Sequence, residues 1–144
     1  MEEKMNTPGL PHHGLRVWWR SVDLVKLVKR SPPGHAELRD QATRAAMSVG
    51  LNISEGAALE GAAKLRHYKS ARGSVVEVVA AYEMADAIGE SVPLDDVLEH
   101  GRAIYAMSGL GLRPRGGPNH SPEERLHLCS RRAMNRSAVE ATDS

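Results

Sequence analysis

The chain has 144 residues, one cysteine (Cys129) and a formal charge of +1. That length fits one domain with its own core, and a lone cysteine excludes an internal disulfide and a multi-cysteine zinc site. No run approaches the roughly 20 apolar residues of a membrane span, and the opening MEEKMNTPGLPHHG lacks the apolar stretch of a secretory signal, so a cytoplasmic protein is expected.

Residues 1–14 carry Pro8, Gly9, Pro11 and Gly14 and read as a loose lead-in. From Leu15 the apolar positions Leu15, Trp18, Val22, Val25 and Val28 recur at spacings of three and four, a helical period. Ser31-Pro32-Pro33-Gly34 ends that helix, because proline lacks the backbone donor and clashes with the preceding turn. A second helix is predicted from about Ala36 to Ser54 through Leu38, Ala42, Ala45, Val49 and Ile53, with Glu55-Gly56 as its terminus. A third runs from about Ala62 to Ile88 through Leu65, Tyr68, Val75, Val79 and Tyr82, closed by Gly89 and Pro93. The fourth spans about Leu94 to Ser108 through Val97, Leu98, Gly101, Ile104 and Tyr105.

Four helices joined by short connections predict an all-α fold, an up-down antiparallel four-helix bundle over residues 15–112. Eighteen alanines against five aromatic residues agree with closely packed helices. A Gly/Pro-rich linker and tail follow over 113–144, either disordered or forming one short helix after Ser121-Pro122.

Charge is segregated along the chain. Residues 1–72 carry a balance of +5, residues 73–112 of −6 and residues 113–144 of +2. Either these are uneven solvated charges, or one half attracts the opposite half of a neighbour or an anionic polymer. Helix 1 also carries Val17, Trp19, Leu24 and Leu27 off its assigned stripe, and helix 2 carries Met47 and Leu51. A second apolar stripe points to another subunit, the alternative being a misphased inward face.

Polar residues on faces assigned to the interior form the most informative constellation. Gln41, Ser48, Asn52 and Glu55 follow one another by seven, four and three, one side of helix 2. On helix 3, Ser74 and Glu77 lie one turn apart beside Gly73. A mid-helix glycine costs about 1 kcal/mol against alanine, which predicts close helix packing at Gly73. Glu55 and Glu77 could act as a carboxylate pair. The preferred reading is a buried hydrogen-bond network that fixes helix register. Bundle metal sites want a histidine three residues after a glutamate on two helices; the sequence has that spacing once, at Glu124 and His127 in the tail, and no phosphate loop, nucleophile elbow or HExxH occurs. Neither catalysis nor a metal or other cofactor is expected.

The residues Leu15-Arg16-Val17-Trp18, the run Gln41 to Gly56 with its Ser48 and Asn52-Ile53-Ser54-Glu55-Gly56, and Ala71-Arg72-Gly73-Ser74-Val75-Val76-Glu77 resemble the four helix bundle protein family. That family includes proteins encoded in intervening sequences of large-subunit ribosomal RNA genes and is related to accessory proteins of diversity-generating retroelements. The resemblance covers roughly residues 15–112. It implies an up-down bundle assembled as a ring, typically a homopentamer, with no known catalysis. Retroelement accessory members bind a reverse transcriptase and nucleic acid through a basic surface.

Two functions are therefore expected, in order. The first is a non-enzymatic oligomeric scaffold or adaptor. The second is a nucleic-acid-binding accessory protein, with Arg16, Arg20, Lys26, Lys29 and Arg30 of helix 1 and Lys64, Arg66, Lys69 and Arg72 of early helix 3 as candidate contacts.

Overall fold

A computed structural model describes residues 9–109 of the chain. The expectations for residues 1–8 and for the linker and tail 113–144, Cys129 included, lie outside the described residues. Four helices follow a short 3-10 turn, Pro11–Gly14: α1 (Arg16–Arg30), α2 (Ala36–Ala57), α3 (Gly61–Ala87) and α4 (Leu94–Ser108). No strand occurs among the described residues. The lead-in expected to be loose is thus ordered from Pro11, where its turn packs against α2.

Each helix packs on its sequence neighbours, and α1 closes the ring of contacts against α4. This is an up-down four-helix bundle in which α1 and α3 face each other across the diagonal. One end gathers the start of α1, the end of α2, the start of α3 and the end of α4; the other gathers the two loops that follow α1 and α3.

Small side chains set the packing. Ala42, Ala45, Ala46, Val49 and Ile53 of α2 meet Ala71, Val75, Val78, Ala81 and Tyr82 of α3, with Val97 and Ile104 of α4 completing the core. α1 contributes Val17, Leu24, Leu27 and Val28. Its inward face therefore differs from the predicted stripe: Val17, Leu24 and Leu27 are core, whereas Trp18, Val22 and Val25 are only half-buried. The helix is apolar around most of its circumference, so its periodicity alone does not fix its phase. The surplus apolar surface assigned to α1 shrinks to Trp19, while Met47 and Leu51 of α2 stay exposed as expected.

The far loops are pinned to each other. The Tyr82 hydroxyl donates to the Ser31 carbonyl at 2.8 Å. Glu90, in the α3–α4 loop, accepts from the backbone N–H groups of Gly34 and His35, both at 2.7 Å. A carboxylate on the amides of the N-cap residue His35 and of Gly34 before it satisfies donors just ahead of α2 and opposes the positive end of its dipole. Gly89 closes α3 with φ +92, the left-handed conformation that glycine adopts without strain.

Glycine also marks the close helix contacts, at positions other than the one predicted. A Cβ on Gly56 would lie 2.7 Å from Tyr68 Cε1 and 3.2 Å from His67 Cβ. One on Gly101 would lie 2.7 Å from Val79 Cγ2, and one on Gly50 would lie 3.3 Å from the buried Ser21 hydroxyl. At Gly73 nothing comes within 4 Å. The close packing expected at Gly73 is absent among the described residues, because Gly73 sits on the outer side of α3. Gly56 is not the left-handed terminus expected of it either. α2 runs on to Ala57, and Gly56 makes room for a ring of α3.

Candidate functional site

The predicted polar stripe does form a hydrogen-bonded seam between α2 and α3, with a different membership. Ser48 and Ser74 share a hydrogen bond at 2.9 Å across the two helices. Asn52 donates through Nδ2 to the Ser48 carbonyl at 2.9 Å and to its hydroxyl at 3.1 Å. That orientation turns the Asn52 Oδ1 toward His67 Nδ1 at 3.1 Å, and the same ring nitrogen lies 3.1 Å from Glu55 Oε2. Two acceptors facing one nitrogen require the proton on Nδ1. The chain of bonds is therefore Glu55, His67, Asn52, Ser48, Ser74.

Two expected members stay out. Gln41 and Glu77 are exposed and make no side-chain hydrogen bond among the described residues. His67 is the member missed in the sequence. It lies seven residues before Ser74, on the same face of α3, the same separation that links Ser48 to Glu55 on α2. The seam is also less buried than expected, since the Glu55 side chain is 61% exposed. A network at the edge of the bundle holds helix register while remaining open to water.

The carboxylate pair is not formed. Glu55 is engaged with His67, and Glu77 stands ten residues farther along α3, about 15 Å at the helical rise. No group of three or more His, Cys, Asp or Glu placed to hold a metal is found among the described residues.

The candidate nucleic-acid contacts do not share one surface. α1 and α3 are diagonal, and Lys26, Lys29 and Arg30 lie at the opposite end of the bundle from Lys64, Arg66 and Lys69. Arg16 is exposed, and Arg20 approaches Glu99 of α4 at 4.0 Å between largely exposed side chains, a weak pair. The four cations of α3 have no carboxylate partner within ion-pair distance among the described residues. Arg72 differs from the other three. Its guanidinium lies over the Tyr105 ring of α4, with Cζ 4.0 Å from the ring centre. Lys69, Arg72, Gly73, Val76 and Tyr105 together line a surface groove of about 280 Å³.

Apolar side chains left in solvent form the other surface feature. Met47 and Leu51, one turn apart on α2, are 54% and 61% exposed. They lie on the outer face of α2, away from its core residues Ala42, Ala45, Val49 and Ile53. Val76, Met84 and Ile88 of α3 are exposed as well. Trp19 lies more than half exposed, its indole N–H donating to the His13 carbonyl at 3.0 Å.

No helix among the described residues is long and apolar enough to cross a membrane. No curated protein matches the chain. A family model described as 23S rRNA-intervening sequence protein matches residues 13–91, which take in α1, α2, α3 and the Asn52 and Ser74 blocks that line the seam. With more than half of its length matched by that model, and the four-helix bundle in place, the chain belongs to the 23S rRNA-intervening sequence protein family.

Proposed function

We propose that this protein is a non-enzymatic assembly unit, a scaffold or adaptor that works as a homo-oligomer, with the pentameric ring of the resemblance as the expected form. The observation that carries this reading is the apolar step of Met47 and Leu51, exposed one turn apart on the outer face of α2. Neither side chain is in the buried core, and a second copy that covers them, with Met47 and Leu51 as the dry centre of the contact, removes that apolar surface from water. Light scattering on the pure protein tests it. Five chains of 15.6 kDa give about 78 kDa, and Met47→Glu with Leu51→Glu should reduce that mass. A monomer at micromolar concentration rejects the reading.

A second reading, nucleic-acid binding, is favoured by the unpartnered cations Lys64, Arg66, Lys69 and Arg72 along the first half of α3. Beyond the N-cap Glu60, the first half of α3 carries these four cations and no acid until Glu77. Such an arrangement suits an external anion. A mobility-shift assay with RNA and DNA at two salt concentrations tests it, because phosphate contacts weaken steeply with salt. No shift at low salt removes it.

A further inference from the structure

We propose that the groove between α3 and α4 built by Lys69, Arg72 and Tyr105 is a phosphate-binding site, a proposal that rests on the second, nucleic-acid reading and gives it a place. Four observations converge there. Lys69 and Arg72 are three residues apart, one turn, so both cations project to the same side of α3. Neither has a carboxylate within ion-pair distance among the described residues. Arg72 is held in place, stacked 4.0 Å over Tyr105, and its Nε is buried with no hydrogen-bond partner. A cavity of about 280 Å³ opens beside these groups, floored by Val76 and by Gly73, whose missing side chain leaves the space clear.

A buried guanidinium nitrogen without an acceptor is a rare condition in a folded protein. Here it marks a guanidinium wedged in place, whose outer Nη groups are the ones an oxyanion entering from the groove would meet, a planar fork suited to phosphate. α4 ends at this point, and a Cβ on Gly109 would lie 3.6 Å from Arg72 Cζ. The negative end of the α4 dipole therefore fixes the guanidinium without consuming its donors. Lys69 supplies the second charge. The exposed part of the Tyr105 ring and Val76 offer an apolar platform beside the phosphate, where the base of a single strand can stack. The basic surface expected from nine scattered residues thus contracts to two cations and one ring.

Two sources share this chemistry, the phosphodiester of a single-stranded polynucleotide and a free nucleotide or inorganic phosphate. The test uses the full-length chain and two probes. Fluorescence anisotropy follows a labelled oligouridylate of about twelve nucleotides, and amide NMR shifts over residues 69–76 follow inorganic phosphate and uridine monophosphate. The oligonucleotide should bind, and Arg72→Lys, which keeps the charge but loses the planar fork, should weaken it by about five- to tenfold. Lys69→Gln should lower the salt slope of log affinity by about 0.7, one phosphate contact. Arg44→Gln, which removes one exposed charge from α2, should leave affinity and slope as they were. Unchanged circular dichroism and light-scattering mass in each variant separate loss of the site from loss of fold or assembly.

Saturable shifts with the small phosphates and no binding of the strand would keep the site, assign it to a free phosphate and reject the nucleic-acid reading. Strand binding untouched by both Arg72→Lys and Lys69→Gln would overturn the site and leave that reading standing. Binding of neither probe overturns both.

Discussion

Gly56 and Gly73 both lie in long helices, yet the same substitution to alanine should move stability in opposite directions. Alanine is favoured over glycine in a helix interior by about 1 kcal/mol, since it limits the unfolded backbone and shields the helix. At Gly73 no described residue opposes that gain, because none comes within 4 Å of where its Cβ would go. Gly73→Ala should stabilise the bundle by about 0.5–1 kcal/mol. At Gly56 the new methyl would sit 2.7 Å and 2.9 Å from two ring carbons of Tyr68. The ring can turn, but the Cβ of His67 at 3.2 Å moves only with the α3 backbone. Overpacking of this kind costs about 1–3 kcal/mol, so Gly56→Ala should be destabilising by up to about 2 kcal/mol after the helix gain is set against it. For a bundle of this size 1 kcal/mol is worth about 4–8 °C, so the two thermal midpoints should differ by at least about 4 °C. The comparison is made by thermal circular dichroism at a concentration where both variants have the same light-scattering mass. A destabilising Gly73→Ala at equal mass, or a Gly56→Ala as stable as the parent, would refute the packing assigned to the two helices.

Three further outcomes follow from the same geometry. Glu90→Ala strips the acceptor from the Gly34 and His35 amides, and urea denaturation should show a loss of about 1–2 kcal/mol, typical of a helix cap; an unchanged midpoint would mean that water replaces the carboxylate without loss. Burial pushes the Tyr82 hydroxyl from its ordinary 10.0 up to about 12, so the native state keeps a proton that the unfolded chain gives up. Stability should hold below about pH 10 and fall between pH 10 and 12, and Tyr82→Phe should flatten that fall while costing about 1 kcal/mol at neutral pH. Along the seam, Asn52→Ala removes three hydrogen bonds and should cost about 1–3 kcal/mol, whereas Glu55→Ala, at 61% side-chain exposure, should cost under about 1 kcal/mol; equal losses in the two would contradict the graded burial of the network.

Helix boundaries were legible where the chain itself stops a helix. α4 coincides with the predicted span because Pro93 and Gly109 bracket it, and α1 ends at the Ser31-Pro32 break. The phase of α1 was not legible. Its two candidate stripes are almost equally apolar, and the deciding feature is Ser21, a small buried residue that lets α1 approach Gly50 of α2. Four of the five seam residues were legible, Ser48, Asn52 and Glu55 from their shared face of α2 and Ser74 from its place on α3. His67 obeys the same spacing from Ser74 but lies ahead of the polar block, where only the fold brings it to Asn52 and Glu55. The Glu90 cap has no local signal at all. Its partners lie 55 and 56 residues earlier, and only the meeting of two loops at one end of the bundle brings them together.

Folding also converts the charge pattern of the sequence into a different one in space. Read along the chain, a basic first half precedes an acidic stretch. In the bundle the same residues sort by end. α3 carries Lys64, Arg66, Lys69 and Arg72 in its first half and Glu77, Glu83 and Asp86 in its second, a reversal along a helix of roughly 40 Å. Asp95 and Asp96 open α4 at the acidic end, and Arg16 and Arg20 open α1 at the basic end. The antiparallel connections therefore superimpose like charges from separate helices instead of cancelling them. Lys26, Lys29 and Arg30 of α1 run against this sorting, a basic cluster at the acidic end, as do Arg39 at that end and Glu55 and Glu60 at the other. An axial polarity of this kind makes two copies repel when they lie parallel and in register, and attract when one is shifted along or tilted against the other. A tilted, repeated contact between unlike patches is head-to-tail, which closes a ring when the rotation allows and otherwise extends into a filament. Met47 and Leu51 sit near mid-height on the outer face of α2, so a tilted neighbour can cover them while opposite ends approach. Reversing the charges of Lys64 and Arg66 should then weaken assembly at low salt, and lose that effect above a few tenths molar salt, where the screening length falls to roughly 5 Å. Sedimentation at two salt concentrations reads both, and an assembly indifferent to the reversal at low salt would leave the apolar step as its sole determinant.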